Sequence, residues 1–266
     1  MNTTFSLRVR RVDGRTAQGI AKECFDEIDL LESRLSRYVE ASDISRINHL
    51  ESGQTLYLSD SCHQCLLQAL DAYSQTAGLF DVTLGTRIEH RKSGNESDEP
   101  LLKGRLKIHP DVAAVTCEEA GREIDLGGIG KGFALDQLKQ LLTVWEVQDA
   151  LLTAGASSML AIGDSEWPVD LAGESESLRI TLKNQSLSAS GTFIQGDHII
   201  HPAGHEAMPE SPCTRIWVVA STAVLAEIWS TTLMLLSLDE ILEFIEGIDV
   251  IHSVYAEQAG KLVTVR

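Results

Sequence analysis

Helix-like and strand-like segments mix along this chain without the regular beat of roughly 30 residues that a βαβ, doubly wound sheet requires. That irregularity predicts an α+β fold. Residues Thr4 to Val12 alternate and read as a strand. Arg15 to Arg37 carries apolar residues at helical spacing (Ile20, Cys24, Phe25, Ile28, Leu31, Leu35), and Ser59 to Thr76 reads as a second helix stopped by Gly78. A short strand, Glu123 to Leu126, runs into a glycine-rich stretch and a helix from Phe133 to Leu142. Leu151 to Ile162, Leu178 to Leu182, His198 to Ile200 and Ile216 to Ala220 are strand candidates. Val224 to Leu236 and Ile241 to Glu246 are helix candidates. Val250 to Ala256 and Lys261 to Val265 read as a closing hairpin around Gln258-Ala259-Gly260. With 266 residues and 43% apolar content a large core is within reach. The expectation is one domain over residues 1–266, with the polar stretch 91–100 as an insertion loop.

Charge narrows the partners. The formal net charge is −17, a surface that repels nucleic acid and anionic membrane. An anionic ligand needs local help from a metal, a lysine or a helix N-terminus. No run approaches the roughly 18 apolar residues of a membrane span, and Met1 to Arg10 shows neither a signal h-region nor a lipid-anchor cysteine. Five cysteines, an odd number in a chain of this size, fit reduced thiols and a cytoplasmic setting. Cys62 and Cys65 have CxxC spacing, but no second ligand pair follows, so they read as core or surface thiols, with a redox or metal role as the alternative.

Four segments could carry chemistry. Asp125-Leu126-Gly127-Gly128-Ile129-Gly130-Lys131-Gly132 places four glycines and a lysine between a strand and a helix. Backbone can approach a ligand closely there, and the helix N-terminus favours phosphate. Neither Walker A nor Rossmann spacing is present, so a tight structural turn stands as the alternative. Glu227 and Thr231 lie one helical turn apart on an apolar helix, and their oxygens could hold a hard cation or simply form a polar face. His198, His201 and His205 fall within eight residues and could supply a base, ligands or surface groups. Gly78 to Gly85 reads by itself as a helix stop and a turn.

Taken in order, these pieces resemble the ApbE family of FAD:protein FMN transferases. Ser36-Arg37-Tyr38 and Ser42-Asp43-Ile44-Ser45-Arg46-Ile47-Asn48 match the family's first motifs. Gly78-Leu79-Phe80-Asp81-Val82-Thr83-Leu84-Gly85 matches Gly-x-Phe-Asp-x-Thr-x-Gly, and Asp125 to Asp136 matches Asp-Leu-Gly-Gly-Ile-Ala-Lys-Gly-Tyr-Ala-x-Asp. Thr153-Ala154-Gly155-Ala156, Ala189-Ser190-Gly191, His198 to Pro202 and Ala226-Glu227 to Thr231 follow in the family order.

The resemblance implies an α+β fold with FAD in a cleft between subregions and Mg²⁺ on its pyrophosphate. It implies metal ligands at Glu227, Thr231 and the Gly130 carbonyl, with Ser230 adjacent. It implies FAD contacts from Ser36, Tyr38, Asp81, Thr83, Gly127, Gly128, Lys131, Phe133, Gly155 and His201. His198 maps to the base that takes a proton from a Thr or Ser hydroxyl of an acceptor flavoprotein. That oxygen attacks the FMN-side phosphorus and AMP leaves, so the acceptor becomes flavinylated.

Four positions depart from the pattern. Glu227 replaces an aspartate in the metal motif, and its extra methylene shifts the carboxylate by about 1 Å, a large change for Mg²⁺ geometry. His201 replaces an aspartate, and Ala156 a glycine. Thr86 to Arg91 offers no aromatic where the family has one near the flavin. The sequence therefore leaves three outcomes open: FMN transfer, FAD hydrolysis to FMN and AMP, and a non-catalytic flavin- or protein-binding homologue.

Overall fold

The computed structural model describes residues 3–94, 99–191, 199–204, 207–210 and 212–266. Strand β1 (Phe5–Arg10) leads into helix α1 (Gly14–Leu35), and α2 (Asp43–Asn48), β2 (Thr55–Tyr57), α3 (Asp60–Gln75) and α4 (Gly85–Lys92) follow. Next come β3 (Arg105–Ile108), β4 (Ala114–Glu119) and α5 (Gly130–Val144). Five strands follow: β5 (Asp149–Ala154), β6 (Ser158–Ile162), β7 (Trp167–Ala172), β8 (Ser177–Leu182) and β9 (Ser186–Gly191). Last are β10 (Arg215–Ala220), α6 (Ala223–Leu233), α7 (Leu238–Phe244), β11 (Ile251–Gln258) and β12 (Lys261–Thr264). This is the α+β class expected from the sequence. No helix among the described residues is long and apolar enough to cross a membrane.

The chain divides into two compact units. The larger holds residues 2–28, 131–196 and 208–266. Its frame is an antiparallel seven-stranded sheet in the order β1-β5-β6-β9-β10-β11-β12. The pleat sends alternate residues to opposite faces. Ala150, Leu152 and Ala154 of β5 therefore join Ile20, Cys24 and Ile28 of α1 and Leu135, Leu138 and Leu142 of α5 in one core. Leu151 of the same strand joins a second core with Trp167, Leu171, Leu187 and Trp217, under the β7-β8 ribbon. The sheet is thus covered on both faces.

The smaller unit holds residues 29–130 and 197–207, with a three-stranded sheet in the order β2-β4-β3. Helices α2 and α3 both start on serine caps. Ser42 accepts from the Ser45 N–H at 3.0 Å, and Ser59 from the Cys62 N–H at 3.4 Å. The Asp43 carboxylate joins them by accepting from the Ser59 N–H and hydroxyl at 2.9 and 2.6 Å. Cys62 and Cys65 are fully buried on α3, as packing thiols would be, and burial pushes the Cys62 thiol up. None of the five cysteines is in a disulfide.

Several sequence-based expectations need correction. Leu151 to Ile162 is two strands joined by a tight turn, because Gly155 takes a left-handed φ of 62°. Glu123 to Leu126 forms no strand beyond one bridge between Leu84 and Glu123. Ile199 and Ile200 are not in a strand, and His198 lies outside the described residues. The polar stretch expected as a loop from residue 91 begins inside α4, which opens on Gly85, the last residue of the Gly78-to-Gly85 motif. A basic last turn of His90, Arg91 and Lys92 complements that helix's C-terminal dipole and was the available signal.

Candidate functional site

In the larger unit the candidate groups meet beside α6. Thr222 caps this helix, accepting from the Leu225 N–H at 3.2 Å. Asp136, on α5, adds an outside cap by accepting from the Ala223 and Val224 N–H groups at 3.0 and 2.9 Å. Next along α6 comes Glu227, 2% exposed. Its Oε1 sits 2.5 Å from Lys131 Nζ and accepts from the Ser158 hydroxyl at 3.0 Å. Its Oε2 accepts from the Gly132 N–H at 2.7 Å. The carboxylate therefore bolts α6 to the first turn of α5. Gly132 lets the two backbones meet, since a Cβ there would lie 2.7 Å from the Ala223 carbonyl carbon and 2.9 Å from Val224 Cα.

A layer of hydroxyls lines the same place. Ser158 and Ser188 are cross-strand partners on β6 and β9. The alternation of β9 puts Ser186, Ser188 and Ser190 on one face, and α6 packs on that strand. Ser230 donates to the Glu227 carbonyl at 3.1 Å, and its oxygen lies 3.2 Å from the Ser188 hydroxyl and 3.0 Å from the Ser190 hydroxyl. Thr231 lies 3.3 Å from Ser190. The sequence reading missed Ser158, Ser188 and Asp136 as site residues. The period-two serines of β9 were a usable signal, whereas Ser158 had none.

Burial pushes the Asp136 carboxyl up, opposed by the two N–H groups it accepts and by Lys139, and reinforced by Glu227. A folded-state pKa above the unfolded one means that protonation favours the folded chain. Asp136 thus contributes more stability as pH falls from neutral through its folded pKa, with no further gain below the unfolded value of about 3.9. Asp136→Asn keeps one acceptor for two donors, and is expected to cost about 1–2 kcal/mol at neutral pH. Urea unfolding of both chains at pH 7 and pH 5 checks this. The gap between them should widen at pH 5, and a gap that narrows contradicts the assignment.

Gly155 closes the β5-β6 turn, its N–H donating to the Thr4 carbonyl at 2.8 Å. Ala156 beside it is exposed and needs no positive φ, so the glycine that the family has there is dispensable for this turn. Phe133 is fully buried and serves the core.

In the smaller unit, Arg37 donates to Glu123 at 2.6 Å and reaches Asp125 at 3.5 Å with little exposure. Asp125 in turn accepts from the Gly127 N–H at 2.7 Å, which shapes the turn that leads to Gly128 and Gly130. Neither Gly127 nor Gly130 has a positive φ. Asn48 pins the same stretch by a two-way bond with Ile124, at 2.9 and 2.7 Å. Asp81 accepts from the Thr83 N–H and hydroxyl, both at 2.7 Å, in a local turn. Ser36 follows the last residue of α1, its carbonyl accepting from the Ser42 hydroxyl at 2.6 Å. Tyr38 is 65% exposed, with Lys92 donating to its hydroxyl at 2.8 Å.

The aromatic-free helix α4 has its own use. Arg87 donates to the Pro202 and Pro100 carbonyls at 3.0 and 3.2 Å, and Arg91 to the Ile199 carbonyl at 2.9 Å. Glu99 lies 3.6 and 3.8 Å from the two guanidinium groups. The pair, one turn apart, thereby holds the segment that follows His198. His201 stands in it with Nδ1 accepting from the Ala203 N–H at 3.1 Å, and burial pushes its pKa down, so the imidazole stays neutral. His205 lies outside the described residues. Arg87→Ala is expected to cost about 1.5–3 kcal/mol, the range for hydrogen bonds to a charged group. It should also speed amide exchange at residues 199–204, with Gly204 N–H, bonded to the His201 carbonyl, as reporter. Unchanged exchange there argues against the clamp.

Comparison with known proteins bears on the family and the fold. The model of the ApbE family matches residues 1–253. A protein of Buchnera aphidicola (subsp. Schizaphis graminum) named FAD:protein FMN transferase is 25% identical over 247 residues, covering 79% of this chain and 71% of its own. One of the same name from Treponema pallidum is 25% identical over 260 residues, covering 81% and 72%. Among solved structures, the apo flavinyl transferase ApbE of Pseudomonas stutzeri superposes with a TM-score of 0.82 at 21% identity, over 98% of this chain and 89% of its own. The flavin transferase ApbE of Vibrio cholerae gives 0.82 at 18% identity, over 99% and 94%. With its motifs in the family's order, its fold that of solved members and the family model running from its first residue to residue 253, the chain belongs to the ApbE family.

Proposed function

We propose that this protein transfers FMN from FAD to a Thr or Ser hydroxyl of an acceptor flavoprotein and releases AMP. The observation that carries this reading is the family match across nearly the whole chain, to relatives named for that reaction. The acceptor's O–H bond breaks as His198 takes the proton. The freed oxygen forms a bond to the FMN-side phosphorus, and the phosphorus–oxygen bond to AMP breaks. Phosphoryl transfer of this kind depends on positioning and charge neutralisation. Lys131 at the first turn of α5 brings positive charge into a chain of net charge −17. His201, held neutral, leaves the anionic substrate without a carboxylate at that position.

A bound divalent ion would neutralise the pyrophosphate. The donors here do not fit one as they stand, because Glu227 already receives Lys131, Gly132 and Ser158. In this reading residues 1–266 work as one functional domain. Five buried thiols support a reducing, cytoplasmic setting.

The test is incubation of the purified chain with FAD and a flavoprotein acceptor presenting Thr or Ser. Flavin fluorescence that stays on the denatured acceptor, with one AMP released per flavin attached, supports the proposal. Free FMN and AMP with an unlabelled acceptor point instead to hydrolysis. The absence of both turnover and calorimetric FAD binding would sink the enzymatic reading.

A further inference from the structure

Glu227 stands where the family places a metal-binding carboxylate, yet its surroundings are those of a completed ion pair. A carboxylate has about four lone-pair directions. Three are taken, by the Lys131 ammonium at 2.5 Å, the Gly132 N–H at 2.7 Å and the Ser158 hydroxyl at 3.0 Å. The neighbouring hydroxyls of Ser230 and Thr231 turn to Ser188 and Ser190, and so do not aim at a shared point beside Glu227. Among the described residues no three His, Cys, Asp or Glu side chains come together to hold a metal ion. Mg²⁺ needs near-octahedral oxygen ligands at about 2.0–2.1 Å. An ion at Glu227 Oε1 would sit against the Lys131 ammonium and be repelled by it.

We infer that Lys131 is the resident cation of Glu227, and that this chain holds no divalent ion there while that pair is intact. Reaching across with one more methylene than aspartate, Glu227 meets the ammonium from α6. The ammonium offsets the charge of the buried carboxylate in a place otherwise lined by hydroxyls and backbone N–H groups. The metal statement stands on the geometry alone. Its catalytic consequence, FMN transfer that persists in a chelator, rests on the transferase reading.

Mn²⁺ is the probe, with the free ion followed by electron paramagnetic resonance, a readout independent of turnover. The wild-type chain should show no site tighter than on the order of 1 mM, the weak end of protein-bound hard cations. Lys131→Met leaves the Glu227 carboxylate without its cation and should gain Mn²⁺ affinity by about tenfold or more. Lys131→Gln, which can still donate to Glu227, serves where the Met variant fails to fold by circular dichroism. Wild-type binding that is tighter than about 100 µM and is abolished by Glu227→Gln overturns the inference. So does a folded Lys131 variant with no gain. If no acceptor is ever flavinylated, the transferase reading fails while the Mn²⁺ titration still decides this one.

Discussion

Glu227→Ala is expected to lower stability by about 3–5 kcal/mol, the range for breaking a buried ion pair by removing one partner. The side chain is almost wholly buried, and three donors converge on it. Truncation leaves the Gly132 N–H and the Ser158 hydroxyl without an acceptor in a site that water reaches poorly, and opens a cavity of four heavy atoms beside α6. Lys131 is better placed, because its side chain is 22% exposed and can turn to solvent. Glu227→Gln separates the contributions. It keeps an acceptor for Gly132 and fills the volume but removes the charge, so it should cost distinctly less than the alanine variant. Urea unfolding, with slopes compared to confirm that the unfolding cooperativity is unchanged, provides the measurement. Equal costs for the two variants would assign the effect to charge alone. A cost below about 1 kcal/mol for Glu227→Ala would mean that the pair behaves as an exposed one.

Gly132→Ala should be comparably severe through a different term. The added methyl meets backbone of Ala223 and Val224, which cannot rotate away as a side chain can. Overpacking typically costs about 1–3 kcal/mol, and the backbone obstacle places this case at or beyond the upper end. Relief requires α5 and the start of α6 to separate. That also stretches the Gly132–Glu227 hydrogen bond and the Asp136 cap of α6. Gly130→Ala is the control two residues away. Its methyl would meet only Leu126 Cβ, at 3.9 Å, in the first turn of the same helix. Alanine is the better helix former by roughly 0.5–1 kcal/mol, so this variant should be neutral or slightly stabilising. The alanine that the family has at this position is thus sterically compatible here. Thermal melts of the two variants side by side check the contrast, and similar melting temperatures would refute the packing argument.

What the sequence determined by itself was whatever follows from near neighbours in the chain. Helix α1 was legible because Ile20, Cys24, Ile28 and Leu31 share a face at a spacing set by the helix itself. The β11-β12 hairpin was legible because Ala259 and Gly260 both take positive φ in a two-residue turn between alternating strands. The family motifs were legible for the same reason, as fixed spacings in an ordered series. Strands β7 and β9 escaped because their period-two patterns include Pro168 and Asp170 in one, and serines in place of apolar residues in the other. Only tertiary structure decided the rest. Gly132 and Glu227 lie 95 residues apart, and no local pattern states that Lys131 and not a metal meets that carboxylate. The clamp of Arg87 on Pro202 spans 115 residues, where the sequence showed only a missing aromatic. Periodicity records which face of an element is buried, whereas the partner of a buried charge is fixed by packing between elements distant in the chain.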